Sequence, residues 1–149
     1  MRRFIIEQSD TNMTSHSGLA LVGAAINQHT QLVQQLDGAI PLRHGIPHSD
    51  LMKSYLGLLS IGKNDFEAIQ AMVDDDFFKG ALDIERVPCA DRLRQRMDER
   101  AKSYLPAIVQ ASIDFLMSTQ AAITPLTMGH VPLDADVTPF DNSGSQKEG

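Results

Sequence analysis

The chain has 149 residues, 42% of them hydrophobic and 21% charged, enough to bury one core and too apolar for a disordered polymer. A lone cysteine, Cys89, excludes an internal disulfide and cysteine-based zinc folds and fits a reducing compartment. The formal charge of -6 excludes a surface that grips nucleic acid everywhere, so any DNA contact must be local.

Residues 3–8 (Arg3-Phe4-Ile5-Ile6-Glu7-Gln8) carry the β-branched and aromatic content of a short strand, and Ser9 to Asn12 reads as a turn. This apolar start is far shorter than the roughly 7–15 residues of a secretory signal core. No run approaches the roughly 18–20 apolar residues that span a bilayer, so a soluble, cytoplasmic protein with no membrane partner is expected. After the cap-type residues Thr14 to Ser17, Leu19, Val22, Ile26, Val33 and Leu36 recur at helical spacing with His29 on the same stripe. That spacing predicts one helix of about five turns, closed by Gly38 and Pro41. His29 is expected to be a packed, hydrogen-bonded core residue.

Pro41 to Pro47 reads as a loop, which makes His44 and His48 loop histidines rather than a helical metal pair. Ser49 is expected to cap a helix with the face Leu51, Tyr55, Leu58 and Leu59, closed by Gly62. Asn64 is expected to cap the next, lined by Phe66, Ile69 and Met72, and a short helical piece follows Asp74-Asp75-Asp76. From Asp91 the positions Leu93, Met97, Ala101 and Tyr104 predict a longer helix. Pro106 either kinks it or opens a new one, and the stripe continues through Ile108, Ala111, Phe115 and Thr119 to about Ala122. At Val131 the period changes to two: Val131, Leu133, Ala135 and Val137 point one way and Asp134, Asp136 and Thr138 the other, as on a strand with no partner after it. A disordered tail is the other reading of that stretch.

Two patterns bear on chemistry. Asp134 and Asp136 share one strand face, which suits either solvent or a hard divalent cation held through oxygen. Arg92, Arg94, Arg96, Arg100 and Lys102 crowd one helix, with Arg92, Arg96 and Arg100 at successive i+4 steps. Like charges so placed repel by a few tenths of a kcal/mol per pair, which phosphate contact would repay. The alternative is a solvated face neutralised by Glu85, Asp98 and Glu99. Neither a G-x-S-x-G nucleophile elbow nor a phosphate-cradling glycine loop is present.

Phe4-Ile5-Ile6-Glu7, Leu19-Ala20-Leu21-Val22-Gly23, the run from Val87 to Met97, and above all Leu133-Asp134-Ala135-Asp136-Val137-Thr138-Pro139-Phe140-Asp141-Asn142-Ser143-Gly144 resemble a bacterial insertion-sequence transposase of the insertion sequence 1380 family, of DDE type. The resemblance implies a mainly α chain: a helical DNA-handling domain over 1–127, then over 128–149 the first strand of a truncated ribonuclease-H-like α/β catalytic domain. It implies Asp136 as the first catalytic carboxylate and metal ligand, with Asp134 as fallback and Asp141 as a weaker third choice. It also implies Mg²⁺ or Mn²⁺ in the full-length relative, with none expected on this fragment. The implied partners are DNA, at the terminal inverted repeats, and a second copy of the chain. With the second aspartate and the glutamate of the triad missing, the chain is expected neither to cleave nor to join DNA, since one carboxylate cannot assemble a two-metal site. The alternative is a non-catalytic helical DNA-binding or regulatory module that modulates transposition.

Overall fold

The computed structural model describes residues 14–131. Within them the chain is mainly helical, with no strand: α1 (Leu19–His29), α2 (Leu32–Asp37), α3 (His48–Ser60), a 3-10 segment (Phe66–Met72), α4 (Asp76–Leu82) and α5 (Ala90–Ser118). The strand expected over 3–8 lies outside the described residues, as does the strand expected after Val131 from residue 132 onward. No described helix is long and apolar enough to cross a membrane.

The single five-turn helix expected after Ser17 is two helices. Thr30 is extended (φ -134, ψ 164), its hydroxyl donating to the Ile26 carbonyl at 2.6 Å and accepting from the Leu32 N–H at 3.3 Å, so one side chain closes α1 and opens α2. Leu19 of α1 and Leu32 and Leu36 of α2 are all buried, Leu32 taking the place expected of the half-buried Val33, and apolar residues on both sides of Thr30 hide the break from the spacing. His29, at the end of α1, is hydrogen-bonded through Nδ1 to Ser118 Oγ (2.8 Å) and lies edge-on to Phe115, but it sits at the rim of the core, half-buried.

The helix at 48–60 begins one residue ahead of the expected cap. Pro47 precedes the first turn, and Ser49 bonds sideways to Asp37 instead of capping. It closes as expected at Gly62, whose φ of +77 suits a residue without Cβ, with Lys63 N–H donating back to the Leu58 carbonyl at 2.9 Å. Asp65 and not Asn64 caps the next element, accepting from Ala68 N–H at 2.8 Å, and Asp75 of the acidic run caps α4 through Phe78 N–H at 3.0 Å.

α5 runs unbroken through Pro106. Lys102, whose carbonyl loses its partner there, and Pro106 are both exposed, so the break falls on the solvent side of the helix, while Tyr104, Ala107 and Ala111 hold both halves against the core. Its inward stripe differs from the expected one at Ala101 and, past Ala111, at Phe115 and Thr119, which are exposed. Ala101 is exposed, and half-buried Arg100 stands between Met97 and Tyr104 on the core side. The helix ends at Ser118, a turn earlier than Ala122, and the following residues to 131 are exposed.

One core unites all these elements, with Leu36, Leu51, Leu58, Ile69, Phe78, Leu82, Leu93 and Tyr104 at its centre. Its tightest crossing is between α1 and α4, where a Cβ on Gly23 would stand 1.8 Å from the Ala81 carbonyl oxygen.

Candidate functional site

The start of α3 forms a buried polar seam of a kind that apolar patterning does not disclose. His48, Ser49, Asp50, Lys53 and Ser54 are all buried, and all but the His48 Nε2 find hydrogen-bond partners in the surrounding fold. Asp37 of α2 accepts from the Ser49 N–H (3.0 Å) and, through its other oxygen, from the Ser49 hydroxyl. One oxygen of Asp50 accepts from the backbone N–H of both Glu85 (3.0 Å) and Arg86 (3.2 Å), pinning the connection between α4 and α5. Burial pushes the Asp50 carboxyl above its ordinary value, against the pull of those two bonds and of Lys53. The Lys53 ammonium donates to the Asp83 carbonyl at 3.1 Å, with the Asp83 carboxylate at 4.0 Å. These groups line an open cavity of about 430 Å³, but their hydrogen bonds are committed to holding three chain segments together, so we read the seam as structural.

His48 corrects the loop reading: it is the first residue of α3 and is buried, whereas His44 stays in the loop and is exposed. Its Nδ1 lies 2.7 Å from the Tyr104 hydroxyl of α5, with the rings edge to face. Burial first, and then Arg96 and Arg100 nearby, hold the imidazole below its ordinary value, against the opposing pull of Asp37. A neutral ring accepting from Tyr104 fits that balance. A histidine whose folded value is depressed binds its proton more readily when unfolded, so its contribution to stability is intact above the unfolded value of about 6.5 and is lost as pH falls from there to the depressed value. Denaturation midpoints should therefore drop between pH 7.5 and 5.5, and the drop should shrink in His48→Gln. An equal drop in both proteins would exclude His48 as its source.

The sequence-predicted basic residues separate by where α5 points them. Arg94 lies over the Phe66 ring, pairs with Glu67 of the 3-10 segment and with Asp91 one turn back (3.4 Å), and is thereby neutralised. Its partners are thus not the Glu85, Asp98 and Glu99 expected from the sequence, and Glu99 instead accepts from Gln95 (2.8 Å). Arg92 and Arg96 line a cavity of about 240 Å³ with His44, Gly45, Ile46 and Leu51. Arg92 donates to Gln95 at 3.3 Å. Arg100 is half-buried with its Nε unpartnered, and Lys102 is exposed. Among the described residues no carboxylate lies within 4.0 Å of Arg92, Arg96 or Arg100. The pairing of α5 with the 41–47 loop had one signal in the sequence: a breaker-bounded loop holding His44 and Gly45, the glycine with φ +115.

Asp134, Asp136 and Asp141 lie outside the described residues. Among the described residues no three His, Cys, Asp or Glu side chains gather as metal ligands, which bears on none of those aspartates. The fold therefore defines a class, a single-core helical domain with a partly unneutralised basic helix. Comparison of the chain with protein-family models, with curated proteins and with solved structures returns no match.

Proposed function

We propose that the chain is the DNA-handling part of a DDE-type transposase and binds the ends of an insertion element. The observation that carries the reading is the sorting of charge on α5. Arg94 is tied to Glu67 and Asp91, while Arg92, Arg96 and Arg100, one turn apart, have no carboxylate partner among the described residues. Three unneutralised guanidinium groups on a chain of net charge -6 make a local phosphate-binding strip, as the sequence resemblance implies. The strand-transfer chemistry is proposed for the full-length relative, with Asp136, or Asp134 as fallback, giving the first carboxylate for Mg²⁺ or Mn²⁺.

The test is binding of the purified chain to duplex DNA carrying the element's terminal repeats across a salt series. The affinity should fall steeply with ionic strength, the logarithmic slope reporting about 0.9 per phosphate neutralised. Absence of binding at low salt would refute the reading. A second reading, a non-catalytic regulatory module acting through mixed oligomers, is favoured by one observation: Leu105, Val109, Ile113 and Leu116 form an exposed apolar stripe along α5.

A further inference from the structure

The concavity between the 41–47 loop and the first turns of α5 is small, charged and built from both sides. Arg92 and Arg96 line it from successive turns of the helix, the Arg92 guanidinium also donating to Gln95 at 3.3 Å, and His44 and Gly45 close the space from the loop. Leu51 and Ile46 supply apolar walls, where a charge-assisted hydrogen bond is stronger than in bulk water. The loop turns here because Gly45 adopts φ +115, which residues with a Cβ rarely do, and it brings Gly45 to within ordinary contact range of Arg96 Nη2. At about 240 Å³ the space falls below the ~300–1,000 Å³ of typical organic-ligand sites and suits one tetrahedral anion with a few waters.

Two guanidinium groups an i+4 step apart repel, and no described acidic side chain lies within 4.0 Å of either. Behind them, Arg100 Nε of the same helix is buried without a partner, and the nearest acidic influence on that inner side is Asp37, which acts on His48 and Tyr104. The neighbouring Arg94, by contrast, is saturated by two carboxylates. Fold stability alone would favour the same treatment for Arg92 and Arg96.

We infer that Arg92, Arg96, His44 and the Gly45 backbone form a seat for a single phosphate group, the helix charges binding it from one wall and the loop from the other. The phosphate is either a diester of the DNA backbone or a free phosphate. The first source rests on the DNA reading above, and the second does not.

Arg92→Gln, Arg96→Gln and, as a control with the same charge change at an exposed site off α5, Lys63→Gln separate these cases. Each is titrated with inorganic phosphate and with terminal-repeat duplex DNA, after circular dichroism confirms an unchanged helix content. Arg92 is exposed, so Arg92→Gln keeps the test open if the half-buried Arg96 proves necessary for folding. Loss of about tenfold or more in DNA affinity, with the salt slope reduced by about one, in Arg92→Gln and Arg96→Gln but not in Lys63→Gln supports a backbone-phosphate seat. Binding of inorganic phosphate that those two variants abolish, in a chain that does not bind DNA, supports the seat and refutes the DNA reading. DNA affinity that survives in both variants overturns the seat while leaving the DNA reading standing. Binding of neither ligand overturns both.

Discussion

Gly23→Ala is expected to destabilise the protein by on the order of 3 kcal/mol, at the upper end of what overpacking a core costs. The added methyl would meet the Ala81 carbonyl oxygen at 1.8 Å and the Leu82 Cα at 3.1 Å. These are backbone atoms of α4, which cannot rotate aside as a side chain can, so α1 and α4 must separate. Separation loosens the packing of Leu19 and Leu82, both essentially buried. Gly57→Ala is the milder comparison. Its Cβ would approach Leu82 Cδ1 at 2.6 Å and the Phe78 ring at 3.0 Å, side-chain atoms that can give way at some cost. Gly18→Ala, with open space around it, should be close to neutral. Urea denaturation followed by circular dichroism measures all three, and an equal midpoint for the substitutions at 23 and 18 would show that the helices do not touch backbone to backbone there.

The second large effect is expected at Asp50. Asp50→Ala removes the acceptor for the Glu85 and Arg86 N–H groups together, and leaving two part-buried donors unpaired costs about 2–3 kcal/mol. Asp50→Asn retains an acceptor oxygen and should lose much less. The two variants also differ from the parent in acid. The Asp50 carboxyl titrates above its ordinary value of 3.8 because burial penalises its charge, so the folded state holds the proton more tightly than the unfolded state. Its ionisation therefore lowers stability, and that loss is recovered as pH falls through the raised value toward 3.8. His48 acts in the opposite sense from about pH 6.5 downward. In the parent protein the loss from His48 should be partly offset at lower pH by Asp50, and in Asp50→Asn the offset should be missing. A midpoint for Asp50→Ala within experimental error of the parent would mean that the 85–86 turn is held by something else.

The helical class, the short helix after the acidic run, the closure at Gly62 and the inward positions Leu93, Met97, Tyr104 and Ala111 are legible from residue order, because each depends on atoms a few residues apart. Leu51 and Leu58 are buried as their spacing predicts, whereas Leu59, assigned to the same face, is 44% exposed. Other features were not legible. The break at Thr30 has apolar residues on both sides and shifts the buried position only from Val33 to Leu32, so it shows only when the hydroxyl is seen bonding on both sides of it. The continuity of α5 through Pro106 depends on which face meets water, a property of the packed domain.

What order alone determined is therefore where the chain becomes helical and which basic residues gather on α5. The tertiary structure decided what each does. It set Arg94 against Glu67, twenty-seven positions away, placed His48 against Tyr104, fifty-six positions away, and folded the 41–47 loop over Arg92 and Arg96. Helix formation is written in spacings of three and four residues, but the neutralisation or exposure of a charge depends on which distant segment packs against it, and no local pattern encodes that choice.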